Sequence, residues 1–228
     1  MDIRLHFVER GEGEPLILLH GNGESCAYFR HQLAFFSANR RCIAVDTRGH
    51  GLSPRGSAPF TLTQFAEDLR EFMDEHQIGA ADVLGFSDGG NIALLFALRY
   101  PERVRRLVLN GANLEPSGVR ARYQRVIERE YAAAVEKAAE SPGAQFDAEL
   151  LGLMVNEPHI PPEALAALTC PVLVIAGTRD MIRRDHTRLI AASIPGARLV
   201  LLPGTHFIAA ETPEGFNEAV TEFLAENG

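Results

Sequence analysis

Residues 82–91 read Asp-Val-Leu-Gly-Phe-Ser-Asp-Gly-Gly-Asn, so Ser87 stands between Gly85 and Gly89 at the abrupt end of an apolar run. Glycines on both sides let the chain turn sharply and leave the hydroxyl exposed, as a nucleophile requires. Gly-x-Ser-x-Gly also occurs in ordinary strand–helix turns, so the pentapeptide alone decides nothing. A hydroxyl is a weak nucleophile until a base takes its proton, and an imidazole acts as that base once an acceptor fixes its tautomer. Both partners follow later apolar runs. Asp180 ends Gly177-Thr178-Arg179-Asp180 behind the run Val172 to Ile175, and His206 ends Pro203-Gly204-Thr205-His206 behind Arg198 to Leu202. Serine, aspartate and histidine in that order suit acyl transfer: Ser87 attacks, His206 moves the proton, and Asp180 orients the ring. Asp185 is a rival acid, but Asp180 lies directly behind its strand. Of the eight histidines, only His206 combines a place after the last strand with this chain order.

These residues need elements to carry them. Ile3 to Val8 alternates apolar and polar residues, as a half-buried strand does, whereas Leu16-Ile17-Leu18-Leu19 is continuously apolar, as in a strand covered on both faces. The Gly-rich joint between them predicts a hairpin. Further β-rich runs recur at Cys42 to Val45, Val83 to Leu84, Val104 to Leu109, Val172 to Ile175 and Arg198 to Leu202. Helical patterns fill the gaps at about 25–37, 61–77, 88–100, 185–193 and 213–226, and Pro101 ends the third. Alternating β and α elements predict an α/β fold, a mostly parallel, doubly wound sheet of about seven strands. Residues 112–160 break the rhythm with a polar helical stretch near 119–140, a breaker at Ser141-Pro142-Gly143 and a second piece from Phe146 to Val155. So long an insert between two core strands predicts a small helical cap on a single domain spanning 1–228.

Composition excludes several other roles. The chain has 228 residues and a net charge of −8, with its basic residues interspersed among acidic ones. A nucleic-acid partner is therefore not expected, because phosphate contacts need clustered Arg and Lys. Cys26, Cys42 and Cys170 are odd in number and widely spaced, so neither a disulfide framework nor a metal site is expected. No run is long enough to span a membrane and the N-terminus shows no signal-peptide core, so a cytoplasmic protein without membrane partners is expected.

Taken in order, the motifs resemble the α/β-hydrolase superfamily. They are the His20-Gly21 turn, the segment Asp46-Thr47-Arg48-Gly49-His50-Gly51-Leu52-Ser53, the Ser87 elbow, Tyr100-Pro101-Glu102-Arg103-Val104, Gly177 to Asp180 and Gly204-Thr205-His206-Phe207. Gly-Phe-Ser-Asp-Gly-Gly and Asn110-Gly111-Ala112-Asn113 look most like small-capped serine esterases, including the valacyclovir-hydrolase-like branch. The departures are a short N-terminal part, expected to lack the first antiparallel strand, and a small cap. The resemblance implies a hydrolase acting on a small-molecule ester, without cofactor.

A tetrahedral oxyanion needs two backbone N–H donors aimed at one point. Asp88, next after the nucleophile at a helix start, supplies one, and Asn22 after His20-Gly21 supplies the other, with Gly23 the alternative. By resemblance Asn22 is also similar to the halide-binding asparagine of dehalogenases, but those use aspartate where this chain has Ser87. The Asp88 carboxylate has two readings, a receiver for a substrate amine, as the branch implies, or a residue favouring the helix start. Tyr123, Tyr131, Phe146 and Met154 in the cap are the candidate substrate-pocket residues, and ordinary packing is their alternative. The same triad could serve lactone, amide or carbon–carbon bond hydrolysis or perhydrolysis, and the fold could serve a small-molecule receptor.

Overall fold

The protein is described by a computed structural model covering residues 2–225. Its strands are β1 (Phe7–Arg10), β2 (Pro15–Leu19), β3 (Arg41–Val45), β4 (Ala81–Phe86), β5 (Val104–Asn110), β6 (Val172–Gly177) and β7 (Arg198–Leu202). They form one sheet in the order β1-β3-β2-β4-β5-β6-β7, with β1 antiparallel to β3 and every other pair parallel.

The continuous apolar runs lie where both faces of the sheet are covered, because alternate side chains leave opposite sides of a strand. Ile17 and Leu19 enter the core under α2 (Leu62–Glu75), α3 (Asp88–Arg99) and α6 (Arg184–Ser193), as do Leu107, Leu109, Val172 and Val174. Leu16, Leu18, Leu84, Val108, Leu173 and Ile175 enter the core under α1 (Arg30–Phe36) and α8 (Pro213–Ala225). Leu18 has no exposed surface, and truncating such a leucine to alanine costs about 3 kcal/mol.

Three expectations are corrected. The predicted hairpin does not form, because β3 lies between β1 and β2, with Phe7 opposite Val45 and Leu19 beside the same Val45. Strand β3 is buried on both faces and β1 only in part, so β3 takes the inner place and β1 the edge. Ile3 and Leu5 pack in the core ahead of β1 without joining the sheet. The expected helix at 25–37 is a 3₁₀ turn, Cys26–Phe29, leading into α1.

Ser141-Pro142-Gly143 lies where the two helices part, as expected, and it also begins the second of them, ahead of the expected start at Phe146. The Ser141 hydroxyl accepts from Ala144 N, and Pro142 occupies the first turn of α5 (Pro142–Asn156), where a missing N–H costs nothing. Between β5 and β6, α4 (Ala121–Lys137) packs along α5 as an antiparallel pair. That pair is joined to the body by Arg55, which donates twice to Glu149 at 2.7 Å, and by Leu62 N, which donates to Glu157.

The chain order leaves one switch point. From β2 the chain passes through α1 on one face, and from β4 it passes through α3 on the other. The two parallel strands are neighbours, so their carboxyl ends open a crevice where ligands bind in sheets of this kind. His20 to Gly23 follows β2 into that crevice, and Ser87 follows β4.

Candidate active site

Ser87 joins β4 to α3 with φ 54° and ψ −120°, a left-handed conformation that costs a non-glycine residue about 1–3 kcal/mol. The surroundings impose it. Ser87 N donates to Asn110 O at 2.8 Å, and Ser87 O accepts from Gly90 N and Asn91 N. The flanking glycines are required by close approach. A Cβ on Gly85 would run into the Gly89 carbonyl, and one on Gly89 would run into the Leu19 and His20 carbonyls. Strand β4, the start of α3 and the end of β2 thus meet backbone to backbone, which puts the hydroxyl at the crevice mouth.

His206 Nε2 lies 3.0 Å from Ser87 Oγ, and His206 Nδ1 lies 2.7 Å from Asp180 Oδ1. The histidine is 4% exposed and the aspartate 2%. Asp180 Oδ1 also accepts from Ile182 N at 2.8 Å, while Oδ2 is buried with no hydrogen-bond partner among the described residues. With Nδ1–H given to the carboxylate, Nε2 is left to accept the serine proton. Asp185 does not join this group; it sits on α6, largely exposed, 3.7 Å from Arg183 Nε.

The loop after β2 comes equally close. A Cβ on Gly21 would lie 3.1 Å from Ser87 Cβ. Asn22 Nδ2 donates to Asp88 Oδ2 at 3.0 Å and to Leu150 O on α5 at 2.9 Å, which holds the two candidate oxyanion donors side by side and ties both to the helical pair. The other Asp88 oxygen accepts from Asn91 Nδ2, whose amide also bonds Asn113. Burial raises the Asp88 carboxyl above its ordinary range, with the Asn22 bond opposing the shift.

Behind this loop stands a polar scaffold. His20 Nε2 accepts from Thr47 N and its Nδ1 bonds Gly21 O, and burial lowers the ring to about 4, so it is neutral. Asp46 accepts from Cys26 N and Leu52 N, and Arg48 is wholly buried between Asp68 and Asp2. One group of three possible metal ligands comes together among the described residues: His6, Cys26 and Asp46, within 4.8 Å of one another. It belongs to this scaffold, with Asp46 already bonded to His6 Nδ1 at 2.7 Å.

Sequence reasoning missed Gly111. At φ 65°, it would place a Cβ 2.7 Å from His206 Cε1, so its missing side chain is what makes room for the ring. It also missed Phe86, whose ring lies 4.9 Å from that of His206 and stacks on Tyr28 at 4.3 Å. An aromatic residue inside the elbow was the available signal. The four cap residues disperse. Tyr131 lines a cavity of about 310 Å³ with Phe60 and Gly152, and Phe146 meets Phe60 edge-on at 5.6 Å. Tyr123 stacks with Arg122, and Met154 is half-buried on α5.

Fold and geometry together define a protein with a mostly parallel sheet and a serine–histidine–aspartate relay at its switch point. The chain belongs to the family whose model is described as alpha/beta hydrolase fold, matched by residues 14–151. The serine hydrolase BPHL of Mus musculus is 29% identical over 97% of this chain and 83% of that protein. The 3-oxoadipate enol-lactonase 2 of Acinetobacter baylyi is 28% identical over 96% of this chain and 92% of its own. A thermophilic esterase from Thermogutta terrifontis superposes with a TM-score of 0.80 at 27% identity, covering 97% of this chain and 93% of that one. No helix among the described residues is long and apolar enough to cross a membrane.

Proposed function

We propose that the protein is a serine hydrolase that cleaves small carboxylic esters through an acyl-enzyme on Ser87. The reading rests on one observation: Ser87 Oγ, His206 and Asp180 form a continuous relay with spacings of 3.0 and 2.7 Å. Ser87 Oγ attacks the ester carbonyl while His206 Nε2 takes its proton. The tetrahedral oxyanion is met by the N–H groups of Asp88 and Asn22, the first at the start of α3, where the helix dipole also favours negative charge. His206 returns the proton to the leaving alkoxide, and the same ring then activates water to release the acid. Each proton has a side chain to carry it, so the relay needs neither metal nor cofactor.

In this reading α4 and α5 are a cap, and Tyr131 and Phe146, which both gather around Phe60, shape what it admits, while Tyr123 and Met154 serve packing. The Asp88 carboxylate, already engaged by Asn22 and Asn91, serves the helix start and the loop clamp rather than a substrate amine. Three free cysteines fit a cytoplasmic location, where thiols stay reduced. A lactone is a cyclic ester open to the same acyl-enzyme chemistry, and the similarity to an enol-lactonase makes it the second reading.

The test pairs a fluorophosphonate probe with a panel of p-nitrophenyl esters and lactones of graded size. Wild type should label covalently and turn over short esters. Ser87→Ala should lose labelling and at least about 10⁴ of the rate. Unchanged turnover in that variant would remove the acyl-enzyme, whereas labelling without any turnover would favour a receptor.

A further inference from the structure

We propose that a second site, separate from Ser87 and independent of the reading above, binds a phosphoryl group in an arginine-lined cavity between the starts of α4 and α6. The cavity, of about 720 Å³, is lined by Arg120, Arg122, Arg183 and Arg184 together with Thr178, and Asp185 is its one acid. In a chain with 22 basic and 30 acidic residues, this cavity inverts the overall charge.

Backbone pairing builds it. Residues on either side of the helical pair's entry run antiparallel to the loop after β6: Val119 bridges Ile182, Arg120 N donates to Met181 O, and Arg183 N donates to Gly118 O. This pairing sets the first turns of α4 and α6 beside one another. Arg120 and Arg183 occupy the N-cap positions, in extended conformation and without a side-chain cap. An N-cap ordinarily offers an oxygen to the free N–H groups, and a cation there opposes the helix dipole. In α6 the first-turn Asp185 offsets part of that cation, whereas α4 has no acid in its first turn, so an anion in the shared cavity relieves α4 most.

Their guanidinium groups have little else to satisfy them. Arg120 Nε is shielded from solvent and has no hydrogen-bond partner among the described residues. Arg122 lies over the Tyr123 ring at 4.6 Å and donates to its hydroxyl, and Arg184 donates to Thr178 O. Among the described residues Arg183 makes a loose, exposed contact with Asp185. Planar forks match the tetrahedral oxygens of a phosphoryl group, and several forks together favour a dianion over a single carboxylate. The cavity stands on the same edge of the sheet as the relay, since Thr178 and Arg183 flank Asp180 along the loop.

The experiment uses the full chain in isothermal titration and thermal shift with inorganic phosphate, pyrophosphate, phenyl phosphate and succinate, each against sodium chloride at matched ionic strength. The phosphoryl probes should bind saturably and raise Tm beyond the chloride control. Arg122→Gln and Arg183→Gln should each weaken phosphate by about tenfold, and Arg125→Gln, outside the cavity, should not. Phenyl phosphate binding more tightly than phosphate would point to a phosphorylated organic ligand, and the reverse to free phosphate; both support the site. Absence of saturation by about 10 mM, equal binding in the variants, or succinate binding as well as phosphate would overturn it.

Discussion

The relay and the helical pair above it are built on different principles. Nine residues of α3, from Asp88 to Ala97, are buried, and the helix starts against the backbone of β2 and β4. In α4 only Ile127 is buried and in α5 only Ala148 and Leu153, so that pair is held by its own contact and a few polar ties such as Arg55–Glu149. The loops at the sheet edge place Ser87 and His206 by close packing that admits no side chain where Gly85, Gly89 and Gly111 stand. The helical pair has no such constraint. In the proposed reading the packed part carries the chemistry and the loosely attached pair selects the substrate, so the second can change without the first.

That contrast can be broken from the packed side first. Asp180→Asn should lower kcat by up to about 10⁴, since an amide can present its N–H to His206 and hold the wrong tautomer. Asp185→Asn, on the exposed face of α6, should leave kcat within about twofold. Comparable losses in the two variants would reassign the acid.

A smaller but more diagnostic loss is expected at Gly111. Alanine there must take a left-handed conformation and meets the His206 ring at 2.7 Å, so Gly111→Ala should cost roughly 10²-fold in kcat with the serine still present. A chain that unfolds instead would show in its circular dichroism, and wild-type kcat in a folded variant would contradict the packing argument.

The scaffold behind the loop should be visible in stability against pH. His20 falls from an ordinary 6.5 to about 4 because it is buried, so the unfolded chain binds more protons between these values. Stability should therefore be full above about pH 6.5 and decline as pH falls toward 4, by roughly 3 kcal/mol from this group. His50, lowered by burial as well, adds in the same direction. Urea midpoints at pH 7 and 5 measure the slope, and His20→Gln should flatten it; an unchanged slope would assign the acid sensitivity elsewhere.

The smallest effects belong to specificity. On an ester panel that includes amino-acid esters and their des-amino analogues, Tyr131→Ala and Phe146→Ala should shift chain-length preference by a few-fold, with fluorophosphonate labelling retained. Asp88→Asn keeps the backbone N–H and should reduce both ester series equally, by less than about tenfold. A selective loss on the amino esters would make the carboxylate an amine receptor.

By itself the sequence determined the order of strands and helices, the parallel sheet, and the three residues that meet at its edge. Those properties are local: a continuous apolar run marks a two-sided strand, and the residues just behind such runs collect on one edge whatever the detailed packing. Its failures share a cause. Whether β1 pairs with β2 or with β3 depends on a comparison between distant segments, which no hairpin signal contains. Pro142 is the exception, since Ser141-Pro142 is also a cap and first-turn pair, a local signal that a breaker reading passes over. Only the tertiary structure decided that Gly111 clears the histidine ring, that Asn22 clamps Asp88, and which way Tyr131 and Phe146 face. Each is a contact between segments far apart in the chain, and its energy exists only once the sheet has brought them together.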